Sequence, residues 1–189
     1  MKTIIIDIGS VSCKYGFAGY NTPTGEVRSV IINGKKVLKM DDVNIYTDIK
    51  YPIKNSVVQS YTGLEIILNY IIDDKLKIDP RKNKIIFCCH ATNNLDTYVK
   101  KRNFKSVNYI DRAVACVYGS GKISGLVVKI GHDWTTISPV IEGYCLKDNV
   151  SYYLLAGPNH TYLLSPTFCH WQAAWYLDLQ IWRSYCLFW

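Results

Sequence analysis

The chain has 189 residues, of which 49% are hydrophobic and 20% are charged, and its formal net charge is +7. This length and apolar content exclude a disordered chain and allow one sizeable core. The positive charge does not indicate a nucleic-acid partner, because the lysines stand singly or in pairs and form no basic stripe with interleaved aromatic residues. We expect a solvated lysine-rich surface and no specific nucleic-acid partner.

The same composition indicates the compartment. The apolar run at residues 4–6 is cut off by Asp7, which makes it too short for a signal peptide, and no stretch is long and apolar enough to span a bilayer. Seven cysteines without a C-x-x-C pair favour reduced thiols. We therefore predict a cytoplasmic protein without a transmembrane segment, with a nuclear location as the alternative. The adjacent Cys88 and Cys89 are predicted to be core residues rather than metal ligands.

The first twenty residues have the pattern of a β-hairpin with a polar turn. Three isoleucines predict a buried strand that ends at Asp7, Gly9 and Ser10 turn the chain, and a second strand follows over residues 13–17. Such a turn directs backbone N–H groups, the Ser10 hydroxyl and the Lys14 ammonium to one point, as phosphate binding requires. It is not a Walker A loop, because no glycine directly precedes Lys14 and no serine or threonine follows it. An ordinary hairpin is the alternative interpretation.

The middle of the chain alternates between predicted strands and helices. Residues 26–32 are predicted to form a third strand, and residues 35–50 a polar excursion. A helix is predicted to open at Thr62, whose side chain would cap the first turn while Glu65 reaches back. Its apolar stripe consists of Leu64, Ile67, Leu68 and Ile71. The next predicted elements are a strand at 84–89, a helix at 95–104, a strand at 107–110 and a helix at 111–118.

The last predicted strands, at 125–131, 135–141 and 143–147, repeat the plan of the first three. Each half would present a glycine hairpin to a shared point, with Gly9 in the first and Gly131 in the second. Two facing hairpins hold a polyphosphate better than one. Antiparallel strands that open each half, with helices between further strands, indicate an α/β fold with a mixed sheet.

The motif Asp7-x-Gly-Ser-x-x-Cys-Lys-x-Gly-Phe-Ala-Gly19 resembles the first phosphate loop of the actin family, within the actin, Hsp70 and sugar-kinase superfamily. Further similarities follow in order over roughly residues 1–165, at Tyr51-Pro-Ile53, residues 113–121, Thr136-x-x-Pro-Val-x-Glu-Gly-Tyr144 and Leu155-Ala-Gly157. The resemblance implies the N-terminal half of an actin-like ATPase fold, ribonuclease H-like, with a five-stranded mixed sheet and flanking helices. It also implies that Asp7, Gly9, Ser10, Lys14 and Gly131 are the remaining phosphate-loop residues.

Several positions depart from the family pattern. Val11 replaces a glycine of the first loop, Lys129 stands where the family has the acidic residue that organises the metal's water shell, and Arg112 replaces the glutamine that positions the attacking water. Phosphoryl transfer depends on electrostatics and positioning, and an ammonium in place of a carboxylate changes the local charge by two units. The resemblance then implies no catalytic residue, no ATP hydrolysis, little provision for magnesium, and either no nucleotide or weakly bound ATP or ADP. In the alternative, Lys129 and Arg112 neutralise phosphates without metal.

The resemblance also divides the chain. Residues 1–147 are predicted to be an actin-like N-terminal domain with a reduced outer-subdomain insertion at 33–50, and residues 148–165 to begin the family's second domain. Residues 166–189 form an aromatic tail outside the family pattern, with four of the chain's five tryptophans and no lysine. Trp171, Trp175, Leu179 and Trp182 are at helical spacing, which allows a helix that binds a partner or a membrane surface, but Asp178 and Arg183 cancel and leave no basic face. The favoured interpretation is a non-native tail that covers surface exposed by truncation.

Three hypotheses about function follow. In the first, the chain is a non-hydrolysing interaction or scaffold module of a cytoskeletal or nuclear actin-related assembly, with actin or other actin-related proteins as candidate partners. In the second, it is an ATP-binding actin homologue that participates in filaments. In the third, it is a truncated gene product without activity.

Overall fold

The computed structural model describes residues 1–38, 40, 48–55, 57–89 and 95–154. The predicted aromatic tail, residues 166–189, lies outside the described residues. The same is true of part of the predicted insertion and of most of the segment predicted to begin the second domain.

The described residues form short strands interspersed with helices. The strands are β1 (Thr3–Ile8), β2 (Ser12–Phe17), β3 (Gly25–Arg28), β4 (Ile31–Ile32), β5 (Lys36–Val37), β6 (Ile49–Lys50), β7 (Ile53–Lys54), β8 (Val57–Val58), β9 (Lys84–Cys88), β10 (Ser106–Ile110), β11 (Gly125–Ile130), β12 (Thr135–Ile141), β13 (Tyr144–Cys145) and β14 (Ser151–Tyr153). The α-helices are α1 (Tyr61–Asn69), α2 (Asp96–Arg102) and α3 (Arg112–Gly119). A π-helix covers Tyr70–Lys75, and 3₁₀-helices cover Pro80–Lys82 and Lys147–Asn149.

The first sheet has five strands in the order β10-β9-β1-β2-β3. β1, β2 and β3 run antiparallel to their neighbours, whereas β9 is parallel to both β1 and β10. The parallel strands are joined by chain that contains α1 and α2, as parallel pairing requires. This arrangement confirms the predicted α/β fold with a mixed five-stranded sheet.

The core of the first sheet lies on one of its faces. In β1, alternation leaves Ile4, Ile6 and Ile8 fully buried, whereas Ile5 is 37% exposed. Helix α1 and the following π-helix bury the predicted apolar stripe against this face, with no member more than 1% exposed: Leu64, Ile67, Leu68 and Ile71. The predicted helix stripe is therefore confirmed. Cys88 and Cys89 are also buried, as predicted for core residues.

The predicted third strand over residues 26–32 is wrong in one respect, because it is two strands in different sheets. β3 ends at Arg28, and β4 pairs with β5 and β6 in a separate three-stranded sheet. At the break the chain changes partners: the Arg28 N–H donates to the Leu38 carbonyl at 3.2 Å, and the Leu38 N–H donates to the Val30 carbonyl at 3.3 Å. Two strands of the small sheet, β5 and β6, lie within the predicted insertion, whose residues 39 and 41–47 are outside the described part of the chain.

The cap of helix α1 also differs from the prediction. Ser60, not Thr62, is the N-cap: its backbone is extended (φ −139°, ψ 107°), and its side chain accepts a hydrogen bond from the Gly63 N–H at 3.1 Å. Thr62 instead lies inside the first helical turn. Both are capping residue types, and the backbone conformation at residue 60 decides between them.

Ser60→Ala is expected to lower the free energy of unfolding by about 1 kcal/mol, because the Gly63 N–H loses its acceptor. Thr62→Ala is the matched control and should change it little, since Thr62 does not cap the helix. Urea denaturation of both variants measures the difference. A larger loss for Thr62→Ala would contradict this cap assignment.

The chain separates into two compact units, residues 1–110 and a second unit that begins at residue 111 and is described to residue 154. The second begins with Asp111, whose carboxylate caps α3 by accepting from the Ala113 N–H at 2.8 Å. Its sheet has the order β11-β12-β13, and β14 pairs with β12. The predicted domain boundary between residues 147 and 148 stays a prediction. Across the described ranges, no helix has the length and apolar character needed to cross a membrane.

Candidate functional site

The first predicted phosphate turn is a tight connection between β1 and β2. The Gly9 N–H donates to the Ser12 carbonyl at 3.1 Å, with Ser10 and Val11 between them. A Cβ on Gly9 would lie 2.5 Å from that carbonyl oxygen, closer than any side chain tolerates, so this position requires glycine. Ser10 is half-buried, and Val11 is 44% exposed at the tip of the turn.

A buried serine that the sequence analysis missed holds this turn from the side of β3. The Ser29 hydroxyl donates to the Gly9 carbonyl at 2.6 Å, and the Ser29 N–H donates to the Val11 carbonyl. The Cys13 sulfur is 3.3 Å from the same hydroxyl oxygen, and Ser29 itself is fully buried. The available sequence signal was a single hydroxyl residue, Ser29, directly before three apolar residues. A serine in such a position is usually buried with its hydroxyl group hydrogen-bonded.

Three charged residues form a row across the strands beside the turn. Asp7 is opposite Lys14 in the β1–β2 register, and Lys14 is opposite Glu26 in the β2–β3 register. The Lys14 ammonium is 4.0 Å from a Glu26 carboxylate oxygen, and the Ser12 hydroxyl donates to that same oxygen. Asp7 and Lys14 are predicted site residues, whereas Glu26 is not, because it meets Lys14 only through the register between β2 and β3.

The Lys14–Glu26 pair affects the electrostatic potential at the turn more than it affects the free energy of unfolding. Both side chains are about a third exposed (30% and 32%), and pairs of this kind contribute about 0–1 kcal/mol. The ammonium predicted to meet a phosphate nevertheless has a carboxylate beside it. That carboxylate repels an incoming phosphate and reduces the positive potential of the turn.

The second predicted turn has the same backbone geometry as the first. The Gly131 N–H donates to the Trp134 carbonyl at 2.9 Å, and a Cβ on Gly131 would lie 2.9 Å from that oxygen. Lys129 precedes Gly131 by two positions, just as Asp7 precedes Gly9, and it pairs with Thr136 across the β11–β12 register. The predicted internal repeat is therefore present, and the two hairpins carry opposite charges at the equivalent position.

The second turn is flanked by aromatic and acidic groups. The Trp134 ring makes an edge-to-face contact with Tyr152, with centroids 6.4 Å apart and planes at 84°. Asp133 is half-buried in the turn beside the exposed His132. Arg112, predicted at the position of the attacking-water residue, is the first residue of α3.

The structure brings together only part of the predicted site. Asp7, Gly9, Ser10 and Lys14 belong to one hairpin of the first unit, whereas Gly131 belongs to the second unit. That the two hairpins face a shared point stays a prediction. Within residues 1–38, 40, 48–55, 57–89 and 95–154, no cluster of three or more His, Cys, Asp or Glu side chains could hold a metal ion.

Comparison with known families decides between a chance hairpin repeat and common descent. The family model described as Actin matches residues 1–171. The chain belongs to the actin family. The two glycine hairpins, the mixed sheet and the family match agree, so the resemblance stated from the sequence motifs is confirmed.

Curated relatives place this actin-family chain among divergent members. It is 27% identical to actin-like protein 9 of Rattus norvegicus over 186 residues, which cover 87% of this chain and 45% of the relative. It is 30% identical to actin-related protein 2 of Acanthamoeba castellanii over 185 residues (85% and 47%). It is 28% identical to actin-related protein 2 of Schizosaccharomyces pombe over 188 residues (86% and 48%). The chain spans about half the length of the curated relatives it matches.

Proposed function

We propose that this actin-family chain is a non-hydrolysing interaction module that binds protein partners in a cytoskeletal or nuclear actin-related assembly. Actin itself and other actin-related proteins are the candidate partners. The proposal has two parts, a phosphate site that no longer supports turnover and a surface that binds protein. The first part rests mainly on one observation, the placement of Glu26 beside Lys14.

The charge balance of the first turn supports the loss of turnover. Phosphate binding needs net positive potential at the turn, and Lys14 is the cation there that the family pattern retains. Glu26 and Asp7 flank Lys14 from the two neighbouring strands, so two carboxylates accompany one ammonium in this row. A triphosphate that approaches the row meets net negative charge, which opposes binding.

The second turn supports the same conclusion for the metal. Magnesium is usually held by one or two carboxylates together with phosphate oxygens. Lys129 occupies the position equivalent to Asp7, so an ammonium stands where a carboxylate would assist the ion. Magnesium-bound ATP therefore fits these residues poorly.

Nucleotide titration tests the first part of the proposal. The chain is titrated with a fluorescent ATP analogue with and without magnesium, and phosphate release is followed in parallel. We expect no magnesium-dependent binding and no phosphate release above the protein-free rate. Tight, metal-dependent binding with turnover would reject the proposal.

The second candidate function is nucleotide binding by a filament-forming homologue. One observation favours it: the second turn keeps a carboxylate, Asp133, next to the glycine hairpin. In this case the same titration shows magnesium-dependent binding, and Asp133→Asn abolishes it.

Glu26→Gln is expected to strengthen binding of the ATP analogue about fivefold, because the Lys14 ammonium loses the carboxylate 4.0 Å from it, and two unit charges about 4 Å apart interact by about 1 kcal/mol even in bulk water. The matched control is Glu142→Gln, which removes the same charge from an exposed turn of the second unit. Equal affinities for the two variants would show that Glu26 does not influence the site.

Cosedimentation tests the second part of the proposal. The chain is mixed with actin filaments in the presence and absence of ATP, and the pellet is analysed. We expect nucleotide-independent binding, because the proposed module does not depend on an occupied phosphate site. A chain that neither binds nor melts cooperatively would support the hypothesis of a product without activity.

A further inference from the structure

The parallel strands of the first sheet bring together lysines from three separate segments. β1, β9 and β10 run in the same direction, so the residues that begin them lie at one edge of the sheet. The Lys84 N–H donates to the Lys2 carbonyl at 3.1 Å. The Lys105 N–H donates to the Pro80 carbonyl at 3.2 Å. The four lysines at this edge, Lys2, Lys82, Lys84 and Lys105, are called here the basic edge.

The basic edge has a larger excess of positive charge than the chain as a whole. The segments that meet there are residues 1–6, 79–86 and 103–110. Together they contain five Lys or Arg residues and one carboxylate, Asp79. The whole chain has 22 Lys and Arg residues against 15 Asp and Glu residues. No basic stripe is visible in the sequence, because the strand pairing alone brings these segments together.

The carboxylate of Asp79 is occupied by its neighbour Arg81. The Arg81 Nε donates to an Asp79 carboxylate oxygen at 3.2 Å, and the Arg81 backbone N–H donates to the same oxygen at 3.0 Å. The side-chain hydrogen bond from Arg81 is the main cause that lowers the pKa of the Asp79 carboxyl group, and the charge of Lys82 lowers it further. Asp79 therefore balances Arg81 and leaves the charges of the four lysines in excess.

The lysines of the basic edge are accessible to a partner. Lys2, Lys82 and Lys105 are exposed, and Lys84 is half-buried. The Lys2 ammonium lies 4.6 Å from the centre of the Phe17 ring, a contact that leaves its charge in place. Within the described ranges, the ion pairs join other residues: Lys14–Glu26, Arg81–Asp79, Lys101–Glu65 and Arg102–Asp73. In this part of the chain, no carboxylate is in ion-pair contact with the basic edge.

We propose that the basic edge binds an acidic segment of a partner protein. Positive charges held close together repel one another, and carboxylates of a partner relieve that repulsion. Neighbouring strands are about 4.8 Å apart, so the edge from β1 across β9 to β10 is about 10 Å wide. Three extended residues have about the same length, at about 3.3 Å each. A run of three or four acidic residues therefore matches the edge in charge and in length.

Other polyanions fit the basic edge less well. Binding to a membrane surface combines cations with a broad apolar face, whereas this edge is only three strands wide. Binding of single-stranded nucleic acid uses aromatic side chains on which bases stack. Tyr109, the exposed aromatic residue of β10, lies towards the opposite end of that strand. The edge therefore offers point charges without a stacking platform, which suits carboxylates of a peptide.

The basic edge is separate from the candidate phosphate site. The turn at Gly9 follows the end of β1, and a strand of six residues is about 20 Å long. The inference rests on the proposed function only in taking the partner to be a protein. Peptide binding at this edge can fail while cosedimentation with actin filaments succeeds, and the reverse, so the two failures are distinguishable.

Fluorescence anisotropy with a labelled octaglutamate peptide tests the proposal. The full-length chain is titrated into the peptide at low ionic strength, where charge interactions are least screened. The double variant Lys82→Glu, Lys105→Glu is expected to weaken binding at least about tenfold, because each change replaces attraction by repulsion. The matched control Lys35→Glu, Lys54→Glu makes the same charge change at exposed positions of the two small sheets. It should weaken binding about twofold at most.

Zero-length carbodiimide cross-linking of the unmodified chain gives a second measurement. The reagent joins a peptide glutamate to a lysine that it contacts, and peptide mass spectrometry identifies the lysine. We expect links at Lys82, Lys84 or Lys105. Links mainly at Lys35 or Lys54 would contradict the proposal. Far-UV circular dichroism checks the fold of the variants, and if the double variant does not fold, the cross-linking result decides by itself.

Three further results would overturn the proposal. Equal losses for the two double variants would show that the net charge of the chain, rather than the basic edge, attracts the peptide. Phosphatidylserine vesicles or single-stranded DNA that bind more tightly than the peptide, and lose binding in Lys82→Glu, Lys105→Glu, would assign the edge to a different polyanion. No binding of the peptide at low ionic strength would show that the edge is only a solvated surface.

Discussion

Phe87→Ala is expected to lower the free energy of unfolding by about 3–5 kcal/mol, a large part of the 5–15 kcal/mol of a typical domain. Phe87 is fully buried in β9, between β1 and β10, and its ring stacks on Tyr109 with centroids 5.9 Å apart. Truncation leaves a cavity in the middle of the first sheet that rigid neighbours cannot fill. Urea denaturation measures the loss.

Ile86→Ala is the control for this prediction. Ile86 is the preceding residue of the same strand, but it lies on the other face and is only half-buried. We expect a loss of about 1 kcal/mol, typical of a partly exposed truncation. Equal losses for the two variants would mean that the core does not lie on the Phe87 face.

Gly9→Ala is expected to destabilise the chain by about 1–3 kcal/mol and to distort the first turn, because the new methyl group overpacks the site. The contact is with backbone, the Ser12 carbonyl oxygen at 2.5 Å, so no flexible side chain can move aside. The hydrogen bond from Ser29 to the Gly9 carbonyl should weaken with it. Thermal denaturation measures the stability, and the amide exchange rate of Ser29 reports the geometry of the turn.

Gly119→Ala is the matched control for the turn. Gly119 ends α3, its φ is not positive, and no atom lies within 4 Å of an added Cβ. Alanine has a higher helix propensity than glycine by up to about 1 kcal/mol, so this variant should be neutral or more stable. If both alanine variants behave alike, the close contact at Gly9 does not constrain the turn.

Features that depend on local periodicity were predictable from the sequence. The apolar stripe of α1 repeats at helical spacing, so the sequence indicated this helix and the face that it buries. The run of isoleucines indicated β1 as a strand but predicted burial on both faces, which is wrong because Ile5 is 37% exposed. The two glycine turns were found for the same reason, since each glycine directly follows a short strand. The predicted phosphate-loop residues of the first hairpin lie together because the hairpin is formed by residues that are close in the sequence.

Features that depend on pairing between distant residues were not predictable in this way. Glu26 meets Lys14 only through the register of β2 and β3, which the intervening turn sets. The helix cap at Ser60 depends on an extended backbone at that residue, whereas the sequence favours Thr62 because Glu65 follows it at the capping-box spacing. The break between β3 and β4 coincides with hydrogen bonds between residues 28–30 and Leu38, about ten positions later in the chain.

The anchoring of the first turn by Ser29 has an evolutionary consequence. Both bonds from Ser29 go to main-chain carbonyls, so they stay available whatever side chains occupy positions 10, 11 and 14. Mutations at those positions can therefore accumulate while the hairpin keeps its form. A preserved hairpin backbone then indicates family membership alone, and the activity of each chain has to be judged from its own charged side chains.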